Sequence, residues 1–211
     1  MKTLDNYTYN QAVNEVFALE EMGVLECAGR WDNPIHDYLP EGVECYEGCT
    51  RMCFVLESLP GWVIKVDFKE TKGYCKREAD NYADAEEFGI QDCFASTYRL
   101  TELDDGRVAI IQEACSVNED AVTSEWYDYV ARNSSEYIDD EHADDPDYIW
   151  DAVSDLDTTD RLYAIFGDEK RFNVIDNFCY DNQINDIHEG NWGWTAEGNL
   201  VLIDFAGYGC I

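Results

Sequence analysis

Between residues 52 and 114 the chain carries short apolar runs on either side of one helical stretch, and this leaves few architectures open. Met52 to Leu56 and Trp62 to Phe68 are rich in β-branched and aromatic residues, and Ser58-Leu59-Pro60-Gly61 between them signals a hairpin. Thr71 to Phe88 sets Tyr74, Ala79, Tyr82 and Ala85 on roughly one stripe, which predicts a helix. Phe94 to Leu100 and Arg107 to Ala114 read as two more strands around the turn Asp104-Asp105-Gly106. The first half is therefore strand–strand–helix–strand–strand, mostly antiparallel.

Elsewhere helical patterns dominate. Asn10 to Cys27 spaces Val13, Val16, Phe17, Leu19 and Met22 as a helix does, and a polar stretch from Asp32 to Gly42 follows it. Glu125 to Asp160 holds thirteen acidic residues and one basic residue, Arg132. Trp126, Tyr129, Val130, Tyr148, Ile149, Trp150, Val153 and Leu156 interleave with these acids, as on amphipathic helices with one strongly negative face. A further helix is predicted from Glu169 to Asn182, with Phe172, Ile175, Phe178 and Cys179 inward, and a short strand from Asn199 to Phe205. No internal repeat is found. We expect an α+β chain with an N-terminal helical extension (1–41), an antiparallel sheet plus helix (42–115) and a minimal, mostly helical acidic part (116–211).

The charge balance excludes some partners. Against 46 acidic residues stand 14 basic ones, a net charge of −32. Direct binding to nucleic acid depends on Lys and Arg at phosphates, so it is not expected. A basic, nucleic-acid-binding protein is the partner such a field attracts, although acidity also serves solubility. An apolar content of 45% argues against disorder. The nine cysteines form no CxxC pair; Cys45, Cys49 and Cys53 recur every four residues, which on a continuous extended segment would put them on one face. Reduced thiols are the preferred reading over a metal site, since zinc usually takes tighter pairs and a fourth ligand. The opening MKTLDNYTYNQ has no apolar run of signal-peptide type, and no stretch of about eighteen apolar residues predicts a membrane span. The expected location is the cytoplasm.

Two blocks carry chemistry. In Trp62-Val63-Ile64-Lys65-Val66 an ammonium sits inside an apolar strand, where it needs a counter-charge; Glu78, thirteen residues on and helical, could supply it. The second block is Ile184-Asn185-Asp186-Ile187-His188-Glu189-Gly190-Asn191, followed by Leu200-Val201-Leu202-Ile203-Asp204-Phe205-Ala206-Gly207. Phosphoryl transfer uses such a set: one carboxylate to orient the attacking hydroxyl, with an amide oxygen and a second carboxylate to hold Mg²⁺.

The combination WVIK, a helical Glu, DIHEGN and IDFAG resembles the protein-kinase-like superfamily over about residues 42 to 209. Its catalytic loop is most similar to the aminoglycoside and choline kinase branch, in a small, C-terminally truncated form of bacterial or phage type. The resemblance implies a two-lobed fold with ATP and Mg²⁺ as cofactors. It makes Asp186 the catalytic base. Lys65, held by Glu78, would contact the α- and β-phosphates, and Asn191 and Asp204 would be metal ligands. Gln112, Glu113 and Cys115 would lie along the adenine, with His188 and Gly190 shaping the loop. In place of GxGxxG over the phosphates only Gly42 and Gly48 are present, Ile184 stands where the family has His, and the chain ends seven residues after Asp204. An ATP-dependent phosphotransferase is one implied function. The other is a catalytically inactive pseudokinase acting as an acidic, DNA-mimic-like or anti-defence inhibitor.

Overall fold

The computed structural model describes residues 2–26, 39–167 and 169–207. Cys27, Cys210 and residues 32–38 of the polar stretch lie outside these. Five strands, β1 (Val43–Glu47), β2 (Arg51–Leu56), β3 (Trp62–Asp67), β4 (Thr97–Glu102) and β5 (Val108–Glu113), form one antiparallel sheet ordered β1-β2-β3-β5-β4. The expected two hairpins are present, with β1 as an additional edge strand. Gly61 and Gly106 take the positive φ (75° and 84°) that their turns require.

The pleat sorts the sheet into two faces. Phe54, Ile64 and Ile111 are register partners in sequence across β2, β3 and β5, and all are buried. They share one core cluster with Ala12, Val16 and Leu19 of the helix α1 (Asn6–Glu21). Each such side chain removed from water contributes about 1.5–3 kcal/mol. α1 is thus built into the sheet's core. Cys53, Lys65 and Ile110 are the register partners on the opposite face. There α2 (Tyr74–Phe88) packs Cys75 and Ala79 on Val108 and Ile110.

Cys45, Cys49 and Cys53 do not share a site. Cys45 pairs with Phe54 and Tyr46 with Cys53, so Cys45 and Cys53 point to opposite faces, while Cys49 is exposed in the turn. The four-residue spacing holds along an unbroken strand, and here a turn interrupts it. Among the described residues Cys49, Cys53, Cys75, Cys93, Cys115 and Cys179 are free thiols.

The acidic half forms the predicted amphipathic helices α3 (Glu119–Arg132), α4 (Ser134–Tyr137), α5 (Pro146–Asp155) and α6 (Thr158–Phe166), then α7 (Glu169–Asp181). Their apolar faces meet in a second cluster containing Trp126, Val130, Ile149, Val153, Leu162 and Ile175. This cluster also takes in Trp192 and Leu202 from the two-stranded sheet of β6 (Trp192–Trp194) and β7 (Leu200–Leu202). Bridges from Phe94 to Leu202 and from Ser116 to Trp194 fix that hairpin against the larger sheet's connections. Among the described residues no helix is long and apolar enough to cross a membrane.

α7 ends in a Schellman motif: the Ile184 N–H donates to Cys179 O at 2.8 Å and the Gln183 N–H to Tyr180 O at 3.1 Å. The exposed Gln183 holds the left-handed position at φ 58°. A Cβ is unfavourable there, so Gln183→Gly should raise stability by about 0.5–1 kcal/mol. A urea midpoint that falls instead would mean the side chain itself supports the turn.

Candidate functional site

Asp67, the last residue of β3, determines where α2 begins. Its carboxylate accepts the N–H groups of Gly73 (2.7 Å) and Cys75 (2.9 Å), satisfying donors that a helix start leaves open. With the helix so fixed, Glu78 faces Lys65 across the sheet–helix seam. The Lys65 ammonium donates to Glu78 Oε1 at 3.0 Å and to the Ile203 carbonyl at 2.7 Å. Gln112 Nε2 also donates to Glu78 Oε1 (2.6 Å) and to Thr97 Oγ1 (2.9 Å).

A third donor to Glu78 is Arg51, whose guanidinium spans Glu78 and Asp204. Glu78 is fully buried, and the side chains of Arg51 and Lys65 are 6% and 10% exposed. Charges so desolvated persist only when paired and hydrogen-bonded. Burial would lower the Arg51 pKa, but the carboxylates of Glu78 and then Asp204 reverse this and hold it above its ordinary value. Arg51 was not singled out by the sequence. The signal available was a basic residue opening an apolar strand in a chain with few cations.

The second block meets this cluster from below. The Schellman motif of α7 delivers the buried Ile184 and then Asp186. Asn191 Nδ2 donates to the Asp186 carbonyl at 2.7 Å, and the Ile203 N–H to Asn191 O at 2.9 Å, tying the loop to β7 and to Asp204 just beyond it. His188 Nδ1 accepts the Gly190 N–H at 3.1 Å, so a neutral ring carries its proton on Nε2, which lies 3.9 Å from Asp186 Oδ2. Gly48, Arg51, Asp186, His188, Asn191 and Asp204 thereby line one cavity of about 240 Å³.

Other predicted residues divide. Gln112 turns its side chain to Glu78. Glu113 is buried, its Oε1 has no hydrogen-bond partner among the described residues, and it borders a different cavity with Phe94, Phe166 and Arg171. Cys115 is half-buried, and burial, followed by the nearby Glu113, pushes its thiol up to about 12. Among the described residues its backbone N–H makes no backbone hydrogen bond. Gly193 lies against it: a Cβ there would sit 2.6 Å from Cys115 Cβ and 3.1 Å from Ile203 Cγ2. Val55 and Val63, register partners on the Lys65 face of the sheet, are both partly exposed.

The donors present suit a hard divalent cation. The Asn191 amide nitrogen is committed, which leaves its oxygen, and Asp204 supplies a carboxylate 44% exposed. No group of three or more His, Cys, Asp or Glu able to hold a metal occurs among the described residues. Most of an ion's shell would therefore come from phosphates and water, as is usual for Mg²⁺. The chain matches no protein-family model and no curated protein.

Proposed function

We propose that this chain is a kinase-like nucleotide-binding protein that acts as an ATP- and Mg²⁺-dependent phosphotransferase. The observation carrying this reading is the convergence of two sequence blocks, more than a hundred residues apart, on one charged cluster beside one cavity. Lys65 is paired with Glu78, its ammonium also reaches Ile203 O, and the next residue is Asp204.

In this reading Lys65, immobilised by Glu78, draws phosphate oxygens inward. A base would lie between the Val55 and Val63 side chains and Gly193, with the Cys115 N–H as an edge donor. Asn191 and Asp204 would hold Mg²⁺, which when bound would supply positive charge to offset that of the phosphates. Asp186, its backbone held by Asn191, accepts the proton of the attacking hydroxyl.

Calorimetric titration of MgATP into wild type and Asp204→Ala tests the proposal. We expect saturable binding to wild type and at least about a tenfold loss in the variant, the order of one charge-assisted contact. Equal binding would remove Asp204 from the site. No heat from either protein would abandon the nucleotide reading and turn attention to the acidic helices. Tyr148 and Trp150 stand half-exposed on α5 among Asp147, Asp151 and Asp155, a surface suited to a basic protein partner.

A further inference from the structure

The turn between β1 and β2 lacks the run of glycines of a phosphate-binding loop and holds only Gly48. It is short and pinned back: the Gly48 N–H donates to Arg51 O (2.9 Å), and Thr50 O accepts from the Phe68 N–H (3.0 Å) and the Thr71 hydroxyl. Beside Gly48, Cys49 and Thr50, this turn brings to the cavity Arg51, the one permanently charged cation among the described residues lining it. Lys65 stands behind that lining, on Glu78 and Ile203 O.

Arg51 is also engaged at the wrong place for ligand binding. One of its terminal nitrogens pairs with the buried Glu78 and the other with the half-exposed Asp204, the carboxylate assigned to a divalent ion. An ion at Asp204 would sit beside a guanidinium, and a phosphate at Arg51 would sit beside a carboxylate. Each ligand alone must break the Arg51–Asp204 pair and leave the other half of it facing a like charge or nothing. Bound together, they break it once, and both halves are satisfied.

We propose that Arg51 is a phosphate-anchoring residue that exchanges partners on binding: its guanidinium passes from Asp204 to a nucleotide phosphate as Asp204 passes to a divalent ion. Nucleotide and ion therefore bind with positive cooperativity. No covalent step is involved, and Glu78 keeps its hold on the other guanidinium nitrogen throughout. The inference rests on the nucleotide-binding reading and adds a residue and a coupling to it.

The test is a crossed one. Mn²⁺ alone, ATP in EDTA, and ATP with saturating Mn²⁺ are titrated into wild type, Arg51→Gln and Asp204→Asn. In wild type each ligand should tighten the other by about tenfold, within the usual range of coupling between sites. Arg51→Gln should bind Mn²⁺ alone about tenfold more tightly, because Asp204 is released, and metal-free ATP about tenfold more weakly, because the anchor is gone. Asp204→Asn should bind metal-free ATP more tightly than wild type. Opposite shifts for two ligands in one variant are not produced by a damaged fold, which weakens both. Should Arg51→Gln fail to fold, Arg51→Lys replaces it. One ammonium cannot span both carboxylates, so the same crossed shift is expected at smaller size.

Affinities that fall together, or do not change, would leave Arg51 as a buried counter-ion of Glu78 and overturn the proposal, with nucleotide binding intact. Absence of binding by either ligand in all three proteins would overturn the functional reading as well.

Discussion

Replacing Glu78 by alanine is expected to cost about 3–5 kcal/mol of folding stability, the usual price of removing one partner from a buried charge cluster. Three donors converge on this carboxylate, from β2 (Arg51), β3 (Lys65) and β5 (Gln112), while α2 supplies the carboxylate itself. Without it, two cations with little access to water lose their main counter-charge. Arg51 keeps Asp204, and Lys65 keeps a single carbonyl. For a chain of this length the loss corresponds to roughly 6–20 °C in the melting temperature. Glu78→Gln should cost nearly as much, since an amide preserves shape but presents N–H donors to other donors. Urea unfolding of both variants checks this. A loss below about 1 kcal/mol would assign the cluster the value of a solvated surface pair and contradict its burial.

How far these features are legible in the sequence depends on whether the signal is local. Strands β2 to β5 stand out because their runs are apolar and bounded by turn residues, and both hairpins follow from Pro60-Gly61 and Asp105-Gly106. The edge strand β1 is hidden. Only Cys45 of Val43–Glu47 is buried, and the two glutamates suppress the strand signal. α1 begins at Asn6, four residues before the apolar spacing suggests, because the Asp5 carboxylate accepts the Thr8 N–H at 2.8 Å and caps the helix there. α2 begins later than Thr71, since Lys69–Thr71 forms a 3₁₀ turn and Gly73, at φ 114°, starts the helix.

At the site, Lys65, Glu78, Asp186, His188, Asn191 and Asp204 can be named from two short blocks, and folding brings them to one seam. The side-chain direction of Gln112 and Glu113 is not local information. Alternation along β5 puts them on opposite faces, and only the position of α2 decides which of the two meets Glu78. Arg51 is the clearest case. A basic residue at the start of a strand has no sequence mark of burial, and its role appears only when Glu78 and Asp204, distant in the chain, close on it from two sides.

Among these groups Asp186 is the one whose loss should act on chemistry alone. Its carboxylate takes no part in the Glu78 cluster: the basic side chain beside it is His188, with Nε2 at 3.9 Å, and what orients the residue is its backbone carbonyl, held by Asn191. The side chain, 42% exposed, can be truncated without stranding a buried partner, so Asp186→Ala should fold as wild type does. MgATP affinity should stay within about threefold, or tighten, because a carboxylate near phosphates repels them. Turnover, followed as ADP release, should fall by about 10²–10⁴-fold, the range for removal of a general base. Asp186→Asn separates charge from shape: it keeps the hydrogen-bonding outline but cannot accept the proton, and it should be as slow as alanine. If Asp186→Asn releases ADP at the wild-type rate, proton acceptance by Asp186 is not part of the reaction, and the cavity beside it would be a place where nucleotide is held rather than used.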